Sequence, residues 1–230
     1  MTQSWYEVWG RRSAEGPIRG LAELVALDGF DVGAGRIEVE GWQSYADTIA
    51  RSLGLGRGQS VFEVGCGSGA FLYALRNACE LQVGGIDYAS GLIAVASQMM
   101  PDGVFQVCEA GECPPEPRYD HVIANSLFHY LDARHAALVL SLMLRKARLG
   151  VAVLDVPDLA TRDAAEAQRR HALSEAEYSR KYEGLSHTYF DRSWFEQQAT
   201  GTGFDCTTFD ACVAGCVQSS FRFGAILLRK

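Results

Sequence analysis

Apolar positions change rhythm along this chain. Up to about residue 55 they recur at helical spacing, first through Ile18, Leu21, Leu24 and Val25, then through Tyr45, Ile49, Ala50 and Leu53. Between them lies the turn-rich stretch Gly29-Phe30-Asp31-Val32-Gly33-Ala34-Gly35. From Ser60 short apolar runs take over, at residues 61–64, 81–86, 104–107, 121–124 and 151–156. Helical patterns separate most of them, at 70–77, 92–100 and 133–148. Short strands alternating with helices predict a parallel sheet covered on both faces. Pro114-Pro115-Glu116-Pro117 is a stiff loop before the fourth strand. Beyond Pro157 the chain turns polar, and Asp158 to Glu183, dense in Ala, Glu and Arg, predicts a helical insertion. A further helix is expected at 193–200, then two strand-like runs at 205–209 and 221–228. No helix separates those two runs, so they predict an antiparallel pair on the sheet edge.

Composition narrows the function classes. The chain has 230 residues, nearly half of them apolar, which suits one packed α/β domain. Its 21 basic and 28 acidic side chains leave a formal charge of −7, a poor match to DNA or large RNA. The N-terminus MTQSWYEVWGRRS lacks the basic-then-apolar order of a secretory signal. No apolar run approaches the roughly 18 residues that span a bilayer. A soluble, cytoplasmic protein is expected, without nucleic acid or membrane as partner. The seven cysteines (66, 79, 108, 113, 206, 212, 216) form no C-x-x-C pair and are expected to be buried free thiols. No ligand cluster for a metal is evident.

The stretch VFEVGCGSGAF, residues 61–71, carries the main chemical signal. Glycines at 65, 67 and 69 follow a strand and precede a helix, where bare backbone N–H groups lie open to a ligand. The loop alone fits two ligands, because Gly65-x-Gly67-x-x-Ala70 also satisfies the relaxed dinucleotide pattern. Asp87, in Gly84-Gly85-Ile86-Asp87-Tyr88, ends the second strand and can accept both hydroxyls of a ribose, which again fits either. Glu109, in Gln106-Val107-Cys108-Glu109-Ala110, adds an acid at the end of the third strand.

With the next strand and its exit, Tyr119-Asp120-His121-Val122-Ile123-Ala124-Asn125-Ser126, the chain resembles the class I S-adenosylmethionine-dependent methyltransferases of small-molecule type. The resemblance covers roughly residues 60–156 and the tail. It rests on an ordered series: EVGCGSG, GIDYAS, VCEAGECP, YDHVIANSLFHYL and AVLDVPD. It implies a Rossmann-like three-layer α/β sandwich, with a seven-stranded, mostly parallel sheet and one antiparallel strand. An N-terminal helical cap (1–57), a cofactor-binding core (58–157), a helical insertion or lid (158–190) and a C-terminal helix with a strand pair (191–230) would form a single domain. It also implies the contacts. Gly65, Cys66, Gly67 and Gly69 would lie against the amino-acid portion of the cofactor, with Glu63 orienting their loop. Asp87 would accept the ribose hydroxyls, and Tyr88 would lie beside the adenine. Glu109 would accept the adenine amino group, Ala110 would supply backbone, and Asn125 would close the methionine end. Ser68 departs mildly from the pattern, since many relatives have Thr there.

The implied activity is methyl transfer from S-adenosylmethionine to O, N or C of a small molecule, in biosynthesis, releasing S-adenosylhomocysteine. The protein then mainly orients the reactants and keeps the site dry. His129, after the fourth strand, and His187, after the insertion, are the candidate catalytic groups. Tyr6, Trp42, Tyr45 and Tyr189 are candidate acceptor contacts, against the alternative that these aromatics merely cover the sheet. Arg11-Arg12 and Arg169-Arg170 are either solvated charge or a grip on an acceptor carboxylate or phosphate. His135 and His171 are expected in solvent and His121 in a structural role. A monomer or homodimer is expected. Two rival functions remain at this level: an NAD(P)-dependent oxidoreductase using the same loop, and a non-catalytic S-adenosylmethionine-binding scaffold.

Overall fold

A computed structural model describes residues 5–30, 37–171, 174–182, 185–211 and 213–230, with backbone alone at 179–182. Most of the loop read at 29–35, the end of the insertion at Glu183, and Cys212 lie outside the described residues. The seven strands are β1 (Ser60–Val64), β2 (Gln82–Asp87), β3 (Val104–Val107), β4 (Tyr119–Asn125), β5 (Ala147–Pro157), β6 (Phe204–Asp210) and β7 (Arg222–Arg229). They form one sheet in the order β3-β2-β1-β4-β5-β7-β6. Every pairing is parallel except those of β7, which runs against both β5 and β6. The seven-stranded, mostly parallel α/β sandwich expected from the sequence is what forms.

The two faces of the sheet follow from side-chain alternation. Val61, Ile123, Ala152, Leu154 and Ile226 point to one face, under α2 (Leu21–Leu27), α3 (Val39–Leu53) and α4 (Ala70–Ala78). Phe62, Val64, Val122, Val153 and Phe223 point to the other, under α6 (Ala133–Lys146) and α9 (Arg192–Ala199). Glu63 falls in step with Val61, so a carboxylic acid enters the first core layer directly beneath the glycine loop. The N-terminal face is rich in rings: Trp42 and Tyr45 of α3 meet Phe71 of α4 at 5.9 and 5.5 Å. α5 (Ser90–Met99) covers β2 and β3.

Some boundaries move. The helix read at 133–148 stops at Lys146, because Ala147 is extended and buried, pairs with Tyr119, and opens an eleven-residue β5. β4 correspondingly starts at Tyr119 rather than His121. A short helix, α1 (Trp5–Gly10), precedes the two helices read from periodicity. The insertion contains a 3-10 turn (Leu159–Thr161), α7 (Arg162–His171) and α8 (Glu175–Tyr182). The six cysteines within the described residues are free thiols. Among those residues no helix is long and apolar enough to cross a membrane.

β2 carries a glycine pair for a steric reason. A Cβ at Gly85 would stand 2.8 Å from Cys66 and 3.1 Å from the Glu63 carbonyl, so only glycine lets the loop after β1 lie across β2. Gly85→Ala is therefore expected to lower stability by about 1–3 kcal/mol through overpacking. Urea unfolding measures this, and an unchanged midpoint would show that the loop yields freely.

Candidate functional site

β1 and β4 are neighbours, but the chain leaves β1 toward β2 and leaves β4 toward β5 on the opposite side. Their carboxyl ends therefore flank the switch point, where open α/β sheets form a crevice. A cavity of about 900 Å³ opens there. Its rim begins with the glycine loop. Gly65, Gly67 and Gly69 all have positive φ, from 54° to 84°, which an L side chain rarely adopts. Gly65 and Cys66 both donate their N–H to the Ile86 carbonyl, at 2.8 and 2.9 Å, tying the loop to β2.

Gly69 donates to the Cys66 carbonyl at 2.8 Å, and two carboxylates receive the amides of Gly67 and Ser68. Asp87, at the end of β2, accepts Gly67 N–H at 3.0 Å and Ala89 N–H at 2.9 Å. Asp28, which caps α2, reaches over from the N-terminal segment and accepts Ser68 N–H at 2.7 Å and Ala70 N–H at 3.3 Å. Ser68 and Ala70 flank Gly69, the N-cap of α4, where unpaired N–H groups favour an anion. A Cβ on Gly67 would come within 2.5 Å of the Asp28 carboxylate, so the close approach also requires glycine. Glu63, 2% exposed, lies below with Oε2 unpartnered among the described residues. Burial, then the charges of Asp28 and Asp87, push the Glu63 carboxyl well above its ordinary range. Burial likewise raises Asp87, against the two N–H bonds that lower it. Asn125, at the end of β4, is buried with Oδ1 unpartnered among the described residues.

α1 closes the cavity from above. The Tyr6 ring stacks on Tyr88 at 4.6 Å and 6°, and its hydroxyl lies near Glu109, whose charge raises its pKa. Trp5 stacks on His187 at 4.9 Å and donates its indole N–H to the Ser186 carbonyl at 2.9 Å. Arg12 lies over the Trp9 ring at 4.3 Å and donates to the Leu27 carbonyl at 2.6 Å, fastening the N-terminal segment to α2.

The far end of the cavity is a cluster of histidines and arginines. His129 and His187 meet edge to face at 4.6 Å. Arg169 Nη2 lies 2.8 Å from His187 Nδ1, and Arg222 Nη1 lies 3.5 Å from His129 Nδ1. Arg222 also donates to the Asp155 carbonyl at 3.2 Å, and its Nε stands 3.8 Å from the Asp155 carboxylate. Asp155 itself has φ 55° and accepts a short hydrogen bond from the Ser126 hydroxyl. Burial, then Arg169 and Arg222, push His187 down to about 2. Burial, then His187 and the same arginines, hold His129 well below its ordinary value.

Most residues singled out from the sequence line this one cavity: Glu63, Gly65, Cys66, Gly67, Asp87, Tyr88, Glu109, Ala110 and Asn125 at one end, His129 and His187 at the other. Tyr6 lies in its cover. Trp42 and Tyr45 border it but are almost wholly buried in the α3–α4 core, with the Trp42 indole N–H 3.4 Å from the Ala70 carbonyl. Gly69 sits just outside, as the N-cap of α4. Tyr189 is not part of the lining; its hydroxyl donates to Glu166 at 2.8 Å. His171, expected in solvent, is exposed but sits on the cavity rim, whereas His135 pairs with Asp132 on the surface. His121 is buried within β4. Asp28, Asp155 and Arg222 were not singled out. Arg222 alone left a sequence signal, a cation at the head of an apolar strand. Among the described residues no group of three or more His, Cys, Asp or Glu is arranged to hold a metal ion.

Residues 61–150 match the family model described as a methyltransferase domain. The fold is similar to magnesium protoporphyrin IX methyltransferase (ChlM) from Synechocystis, solved with bound SAM, at TM-score 0.61 and 14% identity over 98% of this chain and 91% of that one. It is similar to the plantazolicin methyltransferase BpumL, in complex with a triazolic desmethylPZN analog and SAH, at TM-score 0.64 and 16% identity over 84% and 86% of the two chains. A TehB-like SAM-dependent methyltransferase from Corynebacterium glutamicum aligns at TM-score 0.57 and 17% identity over 90% and 92%. At such identities the likeness is one of fold. Comparison with curated protein sequences gives no match.

Burial raises Asp28 from its ordinary 3.8 to about 7, outweighing the Ser68 and Ala70 N–H bonds that lower it. The folded chain thus holds this proton more tightly than the unfolded chain. Its contribution to stability is full below the unfolded value and declines as pH rises through the folded one. In Asp28→Asn that slope is removed. Urea unfolding from about pH 4 to 8 should show the wild-type-minus-variant stability falling up to about pH 7 and then levelling. A pH-independent difference would mean that Asp28 titrates like a surface acid.

Proposed function

We propose that this chain is a class I methyltransferase, and that it transfers the methyl group of S-adenosylmethionine to a small-molecule acceptor. The observation that carries the reading is the convergence, on one sheet edge, of the glycine loop with Glu63, Asp87 and Glu109 from three successive β-strand segments. The residues fit the cofactor. Gly65, Cys66, Gly67 and Gly69 would take its amino-acid portion, helped by Glu63 below. Asp87 would accept the ribose hydroxyls. Tyr88, Glu109 and Ala110 would hold the adenine. The unpartnered Oδ1 of Asn125 supplies an acceptor at the methionine end.

When bound, S-adenosylmethionine supplies an electrophilic methyl group on a sulfonium. The transfer is a displacement: a lone pair of the acceptor bonds to the methyl carbon as the carbon–sulfur bond breaks, its electrons remaining on sulfur. The chain's task is alignment and exclusion of water. α1, with Trp5, Tyr6 and Trp9, closes the cavity above, and Trp42 and Tyr45 bound it below. Trp5 and Tyr130 offer ring faces to a passing positive charge. His129 and His187 are the groups proposed to touch the acceptor. Their depressed basicity makes them neutral at pH 7 and weak bases, so they orient the acceptor by hydrogen bonds rather than draw a proton from it.

A ring-lined cavity and a net charge of −7 favour a small acceptor over a polyanionic chain. The absence of a need for a strong base suits an acceptor atom that is already nucleophilic when bound.

Calorimetric titration with S-adenosylhomocysteine, with NADH as a control, tests the cofactor class. Saturable binding of the former alone is expected. Asp87→Ala should weaken it at least tenfold, about 1.4 kcal/mol, when titrated well below the variant's own melting temperature. Binding of NADH instead would overturn the reading, and equal affinity in Asp87→Ala would remove the ribose assignment.

A further inference from the structure

We propose that the acceptor is a carboxylic acid with an aromatic body, whose carboxylate is gripped at the far end of the cavity by Arg222, Arg169 and His187. This rests on the methyltransferase reading and specifies the substrate class of the same site.

The end wall presents donors. Arginine has N–H donors and no acceptor, so His187 Nδ1, 2.8 Å from Arg169 Nη2, must accept. The proton of the neutral ring then sits on Nε2. That Nε2 is buried and has no partner among the described residues. The neighbouring ring repeats the arrangement more loosely, with Arg222 Nη1 against His129 Nδ1. Arg222 is only 7% exposed, yet the hydrogen bonds it makes within the described residues use Nη1 alone, leaving Nη2 without one. The buried, unpaired His187 Nε2–H is costly, and an oxyanion can satisfy it together with the unused Arg222 Nη2.

Charge sets which oxyanion fits. Arg169 is already paired with Glu166 at 3.0 Å, and Glu166 is shared with the Tyr178 and Tyr189 hydroxyls. Arg222 is only loosely matched by Asp155, at 3.8 Å. The surplus of positive charge is therefore small, which suits a monoanion and not a dianionic phosphate. The planar fork of a guanidinium matches a carboxylate in two parallel bonds. Between this wall and the glycine loop the cavity is lined by Trp5, Trp9, Phe30, Trp42, Tyr45 and Tyr130. Those rings call for a flat, apolar body behind the acid. The carboxylate is an anchor here, and the methylated atom lies elsewhere on the acceptor.

The test uses the full chain with and without saturating S-adenosylhomocysteine. Benzoate, 2-naphthoate and indole-3-acetate are each titrated against their primary amides, which keep the shape and remove the charge. At least one acid should bind ten times more tightly than its amide. Arg222→Gln and Arg169→Gln should each remove most of that preference while amide binding and S-adenosylhomocysteine affinity stay within about threefold, well under the 1.4 kcal/mol of a tenfold change. Acid and amide binding alike, no acid binding at all, or an undiminished preference in both variants would overturn the proposal. Failure of S-adenosylhomocysteine to bind, with the acid preference intact in the unloaded protein, would instead count against the cofactor reading alone. Should Arg222→Gln fail to fold, Arg169→Gln, on the peripheral helix α7, decides the matter.

Discussion

The glycine loop is held by two carboxylates that come from opposite directions in the sequence. Asp87 arrives from the end of β2 and takes the Gly67 amide. Asp28 arrives from the N-terminal helices, forty residues before the loop, and takes Ser68 and Ala70. A helix N-terminus without such partners leaves its first amides exposed and its loop poorly defined. Here the same amides join sheet, α4 and N-terminal cap at one point. The cavity walls inherit their positions from that junction: α2 ends on it, α3 packs behind it through Trp42 and Phe71, and Cys66 lies across β2 because Gly85 leaves room.

The cavity is electrically divided. Glu63, Asp28, Asp87 and Glu109 gather at the β1–β3 end, while Arg169 and Arg222 stand at the β5–β7 end. This division follows topology. Strands β1 to β3 fan one way from the switch point and end in acids. β7, entering antiparallel, brings its first residue rather than its last to the same edge, and that residue is Arg222. The antiparallel strand is thus the means by which the tail reaches the site at all.

What could be read in the sequence was local. Glu63, Asp87, Glu109 and Asn125 were visible because each lies inside or just after a short apolar run, so a strand and its exit could be assigned from contiguous residues. The parallel sheet and the antiparallel tail pair followed from the same runs, whereas the strand order did not. Asp28 was not visible, since nothing beside it in the chain marks its partners. Asp155 lay inside a motif, AVLDVPD, without its left-handed backbone being apparent. Tyr189 looked like an acceptor contact from its nearness to His187, but Glu166, twenty-three residues earlier, captures its hydroxyl. Trp42 and Tyr45 were legible as aromatic and amphipathic, and their depth in the core was decided by α4, which the pattern of α3 alone does not contain.

α1 covers both ends of the cavity, through Tyr6 on Tyr88 and Trp5 on His187, yet none of its six residues is buried. Its hold depends on ring faces and a few hydrogen bonds, whereas α3 and α4 are fixed by a closed apolar core. Local opening free energy tracks such burial. The cover therefore stands toward the low-stability end of the described residues, and its amides should exchange with solvent long before those of β1 or β4. Loosening of this cover by mild warming or low denaturant would change the traffic of ligands while the body of the protein remains folded.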